Sequence, residues 1–178
     1  MSTSGETRLE RRFWRFWLLG ILLFAVQIVL NVWLMNDISP LGVSDHQAAA
    51  TAARVNAIQA GWATSGFMGV ALFSMAIDLL FIAVYSWGAF AGGRFFAASD
   101  GGYVSRLGKV IMFAAVGFCL TDYAETISQI IQATTGVGND MLAQVAASVR
   151  PVKSILFLVT FFGLLTALGM RRIARRAP

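Results

Sequence analysis

Four apolar stretches, each about as long as a bilayer is thick, constrain this chain more than any other feature. They cover about residues 13–35, 66–90, 110–132 and 151–170. A helix needs about 20 apolar residues to cross roughly 30 Å of hydrocarbon. Inside lipid only helices and closed barrels satisfy every backbone N–H and C=O. Apolar runs of this length, rather than short amphipathic segments, predict helices. The fold class expected is all-α: an integral membrane four-helix transmembrane bundle. A basic tail over 1–12 precedes the membrane domain over 13–170, and a second basic tail follows over 171–178.

Composition agrees. Hydrophobic residues make up 57% of the chain and charged residues only 13%, about half the share of an ordinary soluble domain. The net charge of +5 would suggest nucleic acid in a soluble protein. Here topology explains it better, because Lys and Arg collect in cytoplasmic segments. With both termini inside, Arg8, Arg11, Arg12, Arg15, Arg94, Arg106, Lys109, Arg171, Arg172, Arg175 and Arg176 are inside, eleven of the fourteen basic residues. Arg54 and Arg150 fall outside, with Lys153 near the outer boundary. The expected topology is therefore N-in and C-in, in a bacterial cytoplasmic (inner) membrane.

The first span begins Phe13-Trp14-Arg15-Phe16-Trp17, aromatics around a snorkelling arginine, as at a headgroup layer. A basic start and an apolar stretch also describe a signal peptide. However, the stretch is long and Asn31-Val32-Trp33-Leu34-Met35 lacks a small-x-small cleavage pattern, so a retained span is expected. Asn36-Asp37-Ile38-Ser39-Pro40 reads as a turn. Ser44-x-x-Gln47 fits a capping box, which predicts one short helix over 45–60 outside the hydrocarbon, as a cap on the bundle mouth or a ligand lid. Residues 91–108, with Gly92-Gly93 and Gly101-Gly102, read as a flexible turn and match no phosphate-binding fingerprint. Asn139 reads as the N-cap of a second short extracytoplasmic helix over 140–149, and Pro151 as the first turn of the last span. Span, turn, capped helix and span thus occur twice, which suggests a parallel duplication.

Ionisable and amide residues inside the spans mark the candidate site. Asp78 is at the centre of the second span, with Ser74 one turn away. Asp122, Glu125, Gln129 and Gln132 share one face of the third span. Gln27 and Asn31 share a face of the first, and Lys153 opens the last. At about 1.5 Å rise per residue, Asp78 and Asp122 fall near the midplane, and Glu125, Gln129, Gln27, Asn31, Ser74 and Lys153 lie on the outer side of it. The inner half is almost purely apolar. Two readings follow. One is a buried ion network that fixes helix register, with Glu125 paired to Lys153 and Asp78 sharing a proton with Asp122 or bonding Tyr123, Ser74 and Gln27. The other is an outward-facing polar pocket for a small-molecule, lipid or cation ligand. Two carboxyl groups at one depth disfavour double ionisation, so the pair is expected to hold one proton. If Glu125 and Lys153 pair, Lys153→Ala lowers assembly in membranes and Glu125→Gln in the same chain restores part of it. A double variant no better assembled than Lys153→Ala sinks the pairing.

The chemistry expected to be absent is equally specific. Cys119 is the one cysteine, read as a packing residue, so there is no intramolecular disulfide, CxxC pair or cysteine zinc site. His46 is the one histidine, read as solvated or capping. No catalytic residue, cofactor or metal site is expected, and enzyme is the less favoured class. The functional expectation is a protein that binds a small or amphiphilic ligand or serves as a membrane-complex subunit. A proton- or cation-coupled transporter, acting as a homo-oligomer, is the alternative, and a lipid-modifying enzyme using Asp/Glu acid–base chemistry ranks last.

Overall fold

A computed structural model of the chain describes residues 4–99 and 102–174. Gly101 of the expected glycine turn and Arg175 and Arg176 of the basic C-terminus lie outside the described residues. Six helices are present among the described residues: α1 (Ser4–Val32), α2 (Val43–Gln47), α3 (Ala52–Thr64), α4 (Met68–Ala97), α5 (Gly102–Thr135) and α6 (Asp140–Ala174). Helices α1, α4, α5 and α6 are long and apolar enough to cross a membrane. They carry large apolar side chains on their outer faces, among them Leu22, Val29, Phe113, Leu120, Ile155 and Phe162. Apolar surface on this scale suits lipid, not water. The chain is an integral membrane protein of all-helical build, consistent with a helical bundle.

The connections differ from their sequence reading in three places. The expected turn over 91–108 is mostly helix, because α4 continues to Ala97 and α5 starts at Gly102. Its glycines serve packing instead, as described below. The expected helix over 45–60 is broken at Ala48–Thr51, where Ala50 adopts a φ of 54°. Gly42, not Ser44, sits at the N-cap of α2, with no side-chain cap bond. Its φ of +60° suits glycine, and a Cβ there would run into the Asn31 side chain. The working cap is Thr51, whose hydroxyl accepts from Arg54 N–H at 3.3 Å to start α3. Lastly, Pro151 stands inside α6, not at the start of a span. The helix begun at Asn139, whose side chain accepts from Leu142 N–H at 3.1 Å, runs on without a break. A proline removes one backbone donor, a loss that spanning helices tolerate where local adjustment re-satisfies the freed carbonyl. The outline repeat ends there, since the first connection holds two separate helices and the second none.

Two compact units make up the chain. The first comprises Met1–Ile21, Ala83–Cys119 and Lys153–Pro178. Its helices approach closely because glycine allows it. A Cβ on Gly88 would lie 2.5 Å from the backbone nitrogen of Trp17, and one on Gly93 would lie 2.8 Å from the carbonyl of Gly108. Gly92, four residues after Gly88, takes the Phe13 ring and Leu164 against its bare face. Tyr85 is fully buried, bonded through its hydroxyl to Thr160 Oγ1 at 2.9 Å and edge-on to Phe118. At one end Arg171 bonds Glu10 at 3.0 Å and lies 4.3 Å over the Phe95 ring.

The second unit comprises Leu22–Ile82 and Leu120–Val152. Its core holds Leu34, Val55, Ile58, Trp62, Ala71, Met75, Ala133 and Ala143. Trp62 fills the middle and donates its indole N–H to the Leu34 carbonyl at 2.8 Å. The turn after α1 is tied by Asn36, whose side-chain oxygen accepts from the N–H groups of Ile38 and Ser39. Two bonds of 2.6 Å join α3 to the start of α6 and to the turn before it: Asp140 accepts from Ala52 N–H, and Asn56 accepts from Gly138 N–H.

Candidate functional site

The second unit contains every candidate site residue except Lys153, which is half-buried on α6 in the first. Within that unit one carboxylate on α4 is held from two other helices. Gln27 on α1 donates its Nε2–H to Asp78 Oδ1 at 2.9 Å. Thr126 on α5 donates its hydroxyl to Asp78 Oδ2 at 2.6 Å. Ser74, one turn before Asp78 on α4, donates to Gln27 Oε1 at 2.7 Å. Gln27 therefore spends both ends of its amide on α4, and its orientation follows from having Ser74 as a donor and Asp78 as an acceptor. Because an amide N–H can only donate, Asp78 Oδ1 must accept. The short contact to Thr126 lies in the range of hydroxyl bonds to a carboxylate.

Helix α5 supplies the other acidic groups. Asp122, Glu125 and Gln129 are 2%, 0% and 1% exposed, while Asp78 is half-buried. Asp122 and Thr126 are four residues apart, as are Glu125 and Gln129, so the helix turns two adjacent polar stripes inward. Gln129 Nε2 has no hydrogen-bond partner among the described residues. A buried amide donor in that state favours an acceptor from outside the chain, such as water or a ligand.

Other side chains named from the sequence have structural work. Asn31 faces the α1–α2 turn: it accepts from Val43 N–H at 2.8 Å and donates to the Leu41 carbonyl at 3.2 Å. Gln132 accepts from Asn139 N–H at 2.9 Å at the end of α5. Tyr123 donates its hydroxyl to the Leu79 carbonyl at 3.1 Å. Cys119 is a free, half-buried thiol. Among the described residues no group of His, Cys, Asp and Glu is placed to hold a metal ion.

Thr126 escaped the sequence reading. It follows Glu125 directly and is four residues from Asp122, so helical spacing could have placed it on the polar side. A threonine in a span usually bonds its own preceding turn, as Thr134 does to the Ile130 carbonyl at 2.7 Å, and so gives little signal.

His46 was expected at the surface and is instead 2% exposed. It lies against Trp62, ring centroids 5.2 Å apart. The Gln59 amide, oriented to satisfy both its ends, accepts from His46 Nε2–H at 3.2 Å and from Ala133 N–H at 3.3 Å, and donates to the Gln132 carbonyl at 3.3 Å. His46 thus helps hold α2 and α3 on α5. Burial pushes its pKa from 6.5 down to about 4. An unfolded chain takes up this proton first, so the stability contribution is complete above pH 6.5 and is lost as pH falls towards 4. The loss is expected to be of the order of 3 kcal/mol. Denaturant titrations in micelles between these pH values should show it, and His46→Leu should flatten the slope.

Comparison with protein-family models, with curated proteins and with solved structures found no match.

Proposed function

We propose that this protein binds a small or amphiphilic ligand within the bilayer, at the polar cluster of α1, α4 and α5, alone or as a subunit of a membrane complex. The observation that carries the reading is Asp78, a half-buried carboxylate held by Gln27 and Thr126 from two other helices. An acidic group with its oxygens so oriented suits a ligand carrying an amine or another hydrogen-bond donor. Gln129 adds a buried donor without an acceptor among the described residues, suited to a polar atom on the same ligand. Positive-inside counting supports an N-in, C-in topology in a bacterial cytoplasmic membrane, which would put this cluster towards the outer leaflet. Entry would then be from outside or sideways from lipid.

Proton- or cation-coupled transport is the second reading, favoured by the burial of Asp122 and Glu125 on the helix that supplies Thr126. Lipid chemistry has less support, since His46 is a neutral packing residue of the α2–α3 cap.

Native mass spectrometry of protein released gently from membranes tests the binding reading. A co-purified small molecule is expected, and Asp78→Asn should lose it. If no adduct is retained, or if Asp78→Asn retains it in full, the reading fails. Proteoliposomes separate the second reading: a binder gives no ion flux, whereas pH-driven flux abolished by Asp78→Asn favours transport.

A further inference from the structure

The start of α1 carries a second feature, independent of the acidic cluster. Arg8, Arg11, Arg12, Arg15, Phe16 and Leu19 line a shallow cleft of about 440 Å³. At about 100° per residue these side chains occupy an arc of roughly 140° on the helix. Phe13 and Trp17, on the opposite side, are 0% and 6% exposed and pack within the first unit. Glu10 also projects away from the arc and bonds Arg171 at 3.0 Å. The helix thus sends the Glu10 carboxylate to the packed side and the side chains of Arg8, Arg11, Arg12 and Arg15 to the cleft. Leu18 and Leu19 follow, both of them exposed. The open face therefore passes from cationic to aliphatic within two turns, at the level where the ring-rich segment from Phe13 to Trp17 marks a membrane interface.

We infer that this face is a binding site for the headgroup of an anionic phospholipid. The guanidinium groups of Arg8, Arg12 and Arg15 would take the phosphate oxygens in paired N–H bonds, and Leu18 and Leu19 would lie along the acyl chains. Net charge alone would orient the protein without a cleft or an apolar continuation. Their combination on one face matches a molecule that is itself charged at one end and aliphatic at the other.

The test uses the full chain in neutral-detergent micelles with equimolar phosphatidylglycerol and phosphatidylcholine of the same acyl chains, read by native mass spectrometry. Phosphatidylglycerol should be retained in about tenfold excess. Arg8→Gln/Arg12→Gln/Arg15→Gln should abolish the excess. Arg94→Gln/Arg106→Gln/Lys109→Gln, which removes the same charge from other exposed positions, should preserve it. Equal retention of both lipids by the natural chain overturns the proposal, as does equal loss in both triple variants, which would mark a general field effect. Displacement of the lipid by millimolar inorganic phosphate would assign the cleft to a soluble anion and also overturn it. Arg12→Gln alone should lower the excess measurably, which keeps the test valid should the triple variant not fold.

Discussion

Gly88→Ala is expected to cost at least the upper end of the range of about 1–3 kcal/mol seen for overpacked cores. The added Cβ would lie 2.5 Å from Trp17 N and 2.8 Å from the carbonyl carbon of Phe16. These are backbone atoms of a helix, so no side-chain rotation relieves the clash, and α1 and α4 must separate. Separation would then loosen Gly92 from Phe13 and Gly20 from Tyr85, because the same two helices make those contacts. In a bilayer, close packing between helices replaces the hydrophobic force that would hold them in water. Gly69→Ala provides the control on the same helix, since nothing lies within 4 Å of its added Cβ. That change should be neutral or slightly stabilising. Both are measured by unfolding in mixed micelles at increasing SDS. Equal midpoints for the two variants would refute the close approach of α1 and α4.

Asp78→Leu should also have a large effect on folding, and Asp78→Asn a much smaller one. Leucine removes the acceptor of both Gln27 Nε2–H and the Thr126 hydroxyl. Each donor left without a partner costs about 1–3 kcal/mol, so the sum is expected to reach a few kcal/mol. The damage should spread to Ser74, whose hydroxyl donates to the same Gln27 amide. Asparagine keeps an oxygen for Gln27, and its amide can donate to Thr126 once that hydroxyl turns round. Folding should survive while the negative charge is lost. The same SDS titration checks both, and ligand retention separates them from structural damage. If Asp78→Asn unfolds the protein as Asp78→Leu does, the charge itself, not the hydrogen-bond pattern, holds the three helices.

The glycines show best where sequence reading stops. Gly88 and Gly92 have the four-residue spacing of helix contacts. Gly93 and Gly108 fell in a stretch rich in glycine and basic residues and pointed to a turn. They instead let the backbones of α4 and α5 meet, since a Cβ on Gly108 would strike Ala97 N and the Gly93 carbonyl. The same residue type serves a turn or a close contact according to what faces it, and the facing residue is distant in the chain. His46 follows the same logic. Its neighbours in sequence are polar, but Trp62 and Gln59 enclose it once α2 and α3 fold back.

Sequence by itself determined that this is a membrane protein with four long apolar helices, and put Gln27, Ser74, Asp78, Asp122, Glu125 and Gln129 at similar expected depths within them. Those properties depend on hydropathy and rise per residue, which are measured along the chain. Tertiary structure decided that Asp78 is gripped by Gln27 and Thr126, that Asn31 serves a turn, that Pro151 sits within a continuous α6 and that α1 and α4 touch at Gly88. These depend on how each helix is rotated and how closely it approaches its neighbours. Such quantities are set by side chains meeting across space, and no local pattern encodes them.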